Sequence, residues 1–200
     1  MKTSFRYFYV FFCLINLISF SVLADGKTDD SSWVVGSALT VGGDTLSEVQ
    51  VTNIFDNTEN EKLKAGELFY IYGGYAWHFY DNTDAVKSFQ ITVGYHADLV
   101  SAGNDEISFE RFPIDMVGYY KKKKLRWGLG LTYHLSPSLD LVDVGLGTYD
   151  FDDALGFLVD FGFEINDGQY LTLRLTEIDY EINGSDLSGS NIGFGFSAQF

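Results

Sequence analysis

The chain has 200 residues, a formal net charge of −15, 17% aromatic residues, 21 glycines and two prolines. Glycine weakens helix interiors while aromatic and β-branched residues favour pleated strands, so this composition excludes a mainly helical protein and points to an all-β one. The acidic balance excludes nucleic acid as a partner, and a single cysteine, Cys13, excludes a disulfide framework or a thiolate metal site.

The N-terminus carries Lys2 and Arg6, an apolar run from Tyr7 to Ile18 broken by Asn16, and then Val22-Leu23-Ala24. That order predicts a signal peptide over residues 1–24, cleaved after Ala24. The apolar run is about a dozen residues, against roughly 20 for a helical membrane span. Residues 25–200 then form one domain, and losing Lys2 and Arg6 moves the net charge to −17. No thiol remains once Cys13 leaves with the leader.

Residues 33–42 read as a first, imperfect strand. In 69–79, Phe69, Ile71, Tyr75, Trp77 and Phe79 make one stripe, and in 88–96 Phe89, Ile91, Val93 and Tyr95 alternate with Ser88, Gln90, Thr92, Gly94 and His96. Segment 107–120 is interrupted by Pro113. Segment 125–135 sets Leu125, Trp127, Leu129, Leu131, Tyr133 and Leu135 against Arg126, Gly128, Gly130, Thr132 and His134. Leu155, Phe157, Val159, Phe161, Phe163 and Ile165 alternate with small or charged residues in 154–165, Leu158 apart, and a less regular strand follows over 170–182. The last strand, 191–200, alternates without fault and ends at Phe200. Period two throughout predicts eight half-apolar strands.

The connections alternate in length. Residues 80–85, 121–124 and Asn166-Asp167-Gly168 are short turns, whereas 43–65, 99–106, 136–151 and 183–190 read as longer loops. Short turns on one side and long loops on the other are the habit of membrane barrels. Over residues 32–200 the chain resembles the small outer-membrane β-barrels of Gram-negative bacteria, the class of the outer-membrane protein A transmembrane domain and the opacity-like proteins. The alternating last strand with Phe194, Phe196 and Phe200 resembles that family's assembly signal. The resemblance implies an eight-stranded antiparallel up-and-down transmembrane β-barrel in the cell outer membrane, inserted by the barrel assembly machinery. Its expected partners are outer-membrane lipids and lipopolysaccharide, and it would act as a monomer.

Alternation alone also fits a soluble periplasmic barrel of lipocalin type with its apolar residues inside. The second face argues otherwise, because it is mostly Gly, Ala, Ser and Thr, which fit a narrow interior. Trp33, Trp77, Tyr80, Tyr119, Tyr120, Trp127 and Tyr133 fall near strand ends, where an aromatic girdle belongs. With the turn at 166–169 setting the register, Asp160 faces Arg174 inside the barrel and Glu164 faces Tyr170. Arg126, Arg111, Asp115 and Lys87 are further candidates for the interior ionic network, Lys87 having lipid-facing parity and, as the alternative, a place snorkelling at the turn-side rim. Isolated ions inside a barrel are costly, so pairing is the default reading.

His134-Leu135-Ser136 resembles the His-x-Ser of outer-membrane lipid A deacylases, with Pro137 where that family has Asn and with no matching acid at the expected distance. His134 and Ser136 are therefore kept as catalytic candidates beside a non-enzymatic barrel acting through structure or surface loops, and beside a small channel. Asp140, Asp143, Asp150, Asp152 and Asp153 make the third loop acidic without the ligand spacing of an EF-hand. Lys121–Lys124 read as a turn beside inner-leaflet headgroups. No cofactor and no bound metal are expected.

Overall fold

Where every second residue is apolar, an extended backbone puts all of them on one face, and that face needs an apolar surround on its own side of the sheet. The computed structural model describes residues 31–52, 58–80, 85–102, 105–142, 145–182 and 184–200. The signal peptide expected at 1–24 lies outside them. Eight strands close into a barrel: β1 (Ser31–Gly42), β4 (Leu68–Tyr80), β5 (Ala85–Ala102), β6 (Asp105–Lys122), β7 (Leu125–Leu141), β9 (Ala154–Asn166), β10 (Gln169–Glu177) and β13 (Asn191–Gln199). Each pairs antiparallel with the next, and β13 closes on β1 from Val34↔Gln199 to Gly42↔Asn191. This is the up-and-down barrel expected from the alternation.

The apolar stripes face outward. Leu129 is 69% exposed and Phe157 63%, whereas Arg111 and Asp160 are fully buried, which is the inverse of a soluble barrel with an apolar interior. On β9 the stripe covers residues 155–165, matching the roughly 9–11 residues that a tilted strand needs to cross a hydrocarbon core. On the neighbouring strands it covers 125–135 and 171–175. No helix among the described residues is long and apolar enough to cross a membrane.

The loop side departs from the expected long loops. Residues 99–106 are mostly strand, because β5 and β6 run on together as one long hairpin. Residues 136–151 continue β7 to Leu141 and return as β8 (Gly147–Asp150), paired to β7 from Ser138↔Asp150 to Leu141↔Gly147. Within 43–65 lies a hairpin of β2 (Thr45–Thr52) and β3 (Thr58–Lys64). Segment 170–182 is two strands divided at Ile178, the second being β11 (Asp179–Ile182), which pairs with β12 (Ser185–Ser188). Pro113 does not break β6: the ladder to β5 skips Phe112 and Pro113, while Pro113 still pairs with His134 on β7.

A bulge explains the missed part of β7. Ser136 has φ 47°, and the β6 register shifts between Glu110 and Phe112 opposite it. An extra residue on one strand reverses the parity beyond it. Leu135 therefore lies on the lipid side, whereas Leu139 and Leu141 turn inward and are buried.

Candidate functional site

The interior is filled in tiers. Nearest the short turns, Lys121 donates to Glu164, which also accepts from the Tyr170 hydroxyl at 3.4 Å. Above it the Arg126 guanidinium lies between the rings of Tyr119 and Tyr170, 4.3 and 4.0 Å from their centroids, and donates to Ser197 Oγ at 3.2 Å. Asp160 stands 3.9 Å from it.

The centre is an ion pair shared among three strands. Arg174 on β10 donates to Asp160 on β9 through Nη2 at 2.9 Å and Nε at 3.1 Å, and to Asp115 on β6 at 2.6 Å. Asp115 also accepts from the Tyr70 hydroxyl and from Thr132 Oγ1, each at 2.7 Å. All these groups are buried, so the charges are compensated by partners rather than by water. Arg174 also lies 5.2 Å from the Tyr72 ring centroid.

Glycines make the room. A Cβ on Gly36 would stand 2.2 Å from the Tyr72 ring, and one on Gly94 would stand 2.4 Å from the Tyr70 ring. Gly36→Val is therefore expected to force Tyr72 aside and destabilise the barrel by about 1–3 kcal/mol, the usual cost of overpacking. Denaturant titration followed by gel mobility checks this.

Toward the loops, Arg111 Nη2 lies against the His96 ring, 2.9 Å from Nε2 and 3.0 Å from Nδ1, and Thr40 Oγ1 stands 2.8 Å from Nε2. Arg111 is thus interior but lies outside the Asp115–Arg174–Asp160 cluster. No carboxylate among the described residues forms a salt bridge with it, and it lies 4.9 Å from the Phe109 ring centroid. A cavity of about 20 Å³, the size of one water, separates this tier from the central ions.

The loop-side end is closed by an apolar cap. Leu63, Ala65, Val100, Ile107, Phe109, Leu139, Leu141, Phe151, Ala154, Ile178 and Tyr180 form one buried cluster drawn from the wall and from the β2–β3 and β11–β12 hairpins. The Tyr180 hydroxyl is hydrogen-bonded to His134 Nδ1 at 2.6 Å, and burial pushes the tyrosine's pKa up to about 12. Asp98 Oδ2 accepts the Lys64 N–H at 2.8 Å, tethering β3 to β5, and burial raises its carboxyl above the usual range.

His134 and Ser136 are not brought together. His134 is buried against Tyr180, while Ser136 sits exposed at the bulge with its N–H donated to Asp153 Oδ1 at 2.9 Å. Asp153 also accepts from the Tyr133 hydroxyl at 3.1 Å. His78 is half-buried beside Ser32 Oγ at 2.9 Å. No group of three potential metal ligands occurs among the described residues.

Tyr119 corrects the reading of the girdle: it faces inward under Arg126 and is buried, unlike its neighbour Tyr120. Of the interior tyrosines, Tyr170 is set inside by the sequence reading, opposite Glu164, whereas Tyr70 and Tyr72 escape it. The signal was available in parity, because Tyr70 and Tyr72 alternate with the outward Phe69 and Ile71.

An outward apolar belt around a charged, filled interior defines the architecture of a small eight-stranded transmembrane β-barrel. No family model matches the chain, and no curated protein matches its sequence. Among solved structures, it is similar to Ail, the attachment invasion locus protein of Yersinia pestis, crystallised in complex with the heparin analogue sucrose octasulfate. That similarity has 10% identity and a TM-score of 0.43 over 85% of this chain and 97% of that one. It is also similar to the outer membrane protein AlkL, solved by solid-state NMR in DMPC lipid bilayers, with 13% identity and a TM-score of 0.41 over 88% of this chain and 93% of that one.

Proposed function

We propose that this protein is a non-enzymatic, monomeric barrel of the outer membrane that seals its own interior and acts through its loop side. The observation carrying this reading is the stack of occluding tiers: Lys121–Glu164, Arg126, Arg174 with its two aspartates, Arg111–His96, and then the apolar cap. An eight-stranded barrel has an interior filled by side chains, and here each level is filled. The belt meets outer-membrane lipids, the short turns lie in the periplasm, and the loop side meets lipopolysaccharide and the medium.

The last strand suits engagement by the assembly machinery. Phe200 exchanges backbone hydrogen bonds with Trp33 at 2.9 and 3.0 Å, and Phe194 lies outside on the same stripe as Phe196.

Planar bilayers containing the refolded protein are expected to stay electrically silent, and lipid A from cells expressing it is expected to keep its acylation pattern by mass spectrometry. Discrete conductance steps that change in Asp160→Asn would replace this reading with a channel. A lipid A mass change lost in His134→Ala and Ser136→Ala would replace it with a deacylase.

A further inference from the structure

We propose that the free edge of β8 is a docking site for an extended, basic segment of a partner protein, which adds to it as a further strand. The inference deepens the reading that the protein acts through its loop side.

Among the described residues, β8 is the last strand of its sheet and pairs with β7 alone. Phe151, just beyond β8, donates its N–H to Pro137 O on β7 at 2.9 Å, so odd-numbered residues of this segment address β7. Antiparallel ladders bond alternate residues to each side, which turns the backbone N–H and C=O of Thr148 and Asp150 away from β7. One step further along the same edge, the Asp152 N–H donates to Glu181 O of β11 at 3.0 Å. β11 presents a free edge too: Gly189 N–H bonds to Ile178 O at 2.8 Å, so the even residues of that hairpin face β12 and Glu181 faces β8.

The two edges are therefore latched at Asp152–Glu181 and part beyond it. Between them lies a cleft of about 550 Å³, lined by Thr148, Tyr149, Asp150, Asp152, Glu181 and Ile182. Unpaired strand edges are templates for a further strand, and native proteins usually blunt them with lysine, proline or a covering loop. β8, with the sequence Gly-Thr-Tyr-Asp, has no lysine and no proline; its guards are its four-residue length and Asp150, whose charge disfavours an acidic strand and favours a basic one. Backbone hydrogen bonds supply affinity in such β-addition, and side-chain complementarity chooses the partner. Among the described residues, three carboxylates and no basic residue line this cleft, so the strand that fits it carries lysine or arginine.

The test uses the refolded full-length barrel in zwitterionic detergent and a labelled, end-blocked ten-residue peptide of alternating lysine and threonine, with binding read by fluorescence anisotropy. Two further peptides carry backbone N-methyl groups on all the lysines or on all the threonines. Addition to an edge uses only one alternate set of N–H groups. One methylated peptide is expected to bind at least tenfold more weakly and the other within about threefold of the parent. Asp150→Asn with Glu181→Gln, on the surface and away from the core, is expected to weaken the parent peptide severalfold and flatten its salt dependence. Equal binding by both methylated peptides would show charge attraction alone and overturn the proposal, as would absence of binding by the parent. Bilayer silence and lipid A acylation are read separately, so failure of the peptide test leaves the sealed-barrel reading distinguishable.

Discussion

Arg174→Ala is expected to lower the barrel's unfolding free energy by about 3–5 kcal/mol, the range for removing one partner of a buried ion pair. The guanidinium holds two carboxylates, Asp115 at 2.6 Å on β6 and Asp160 at 2.9 Å on β9, strands separated by β7. Without it, Asp115 keeps the Tyr70 hydroxyl and Thr132, but Asp160 keeps only Arg126 at 3.9 Å. Two desolvated anions would then share one narrow interior. The loss belongs to the orphaned charges rather than to the pair's own net contribution, so a second variant separates the two. Arg174→Met combined with Asp115→Asn and Asp160→Asn removes the three central charges, leaves Arg126 held by the Tyr119 and Tyr170 rings and Ser197, and is expected to recover most of the stability. Equilibrium unfolding in lipid vesicles, followed by the mobility of unboiled samples, checks both; a triple variant as weak as Arg174→Ala would assign the loss to packing instead.

The centre of the site was legible in the sequence because two rules fix it. Period two assigns each residue to a face, and the Asn166-Asp167-Gly168 turn, with Gly168 at φ 69°, sets which residues stand opposite. Asp160 and Arg174 meet on those grounds together with a one-residue register shift between Gln169 and Tyr170, which keeps the two inward faces in step. Legibility failed where the period is broken by geometry that leaves no mark in composition. Ser136 occupies a left-handed conformation that glycine more often takes, so nothing marked the bulge, and Leu139 and Leu141 beyond it read as a loop instead of an apolar cap. Tyr119 failed differently. Its place near a strand end suggested the girdle, but its parity, shared with Asp115 and Arg111, puts it inside.

The cap gives the second large effect. Tyr180 is buried against Phe109 and Phe151, with ring centroids 5.5 and 6.3 Å away, and its hydroxyl is hydrogen-bonded to His134 Nδ1 at 2.6 Å. Tyr180→Ala is expected to cost about 3–5 kcal/mol, the range for truncating a buried aromatic residue. Tyr180→Phe keeps the packing and leaves His134 Nδ1 unsatisfied, which costs about 1–3 kcal/mol. The central ions lie below the cap, on the far side of the His96 and His134 tier, so both variants are expected to remain electrically silent. What changes is the loop side: with the cap hollowed, β11–β12 loses the anchor that holds it against the wall, and local opening raises its cleavage by protease. Limited proteolysis of Tyr180→Ala is therefore expected to cut within residues 179–188 faster than in the parent while the barrel stays intact. Conductance in that variant would instead mean that the cap alone closes the pore and that the ionic tiers leave a path.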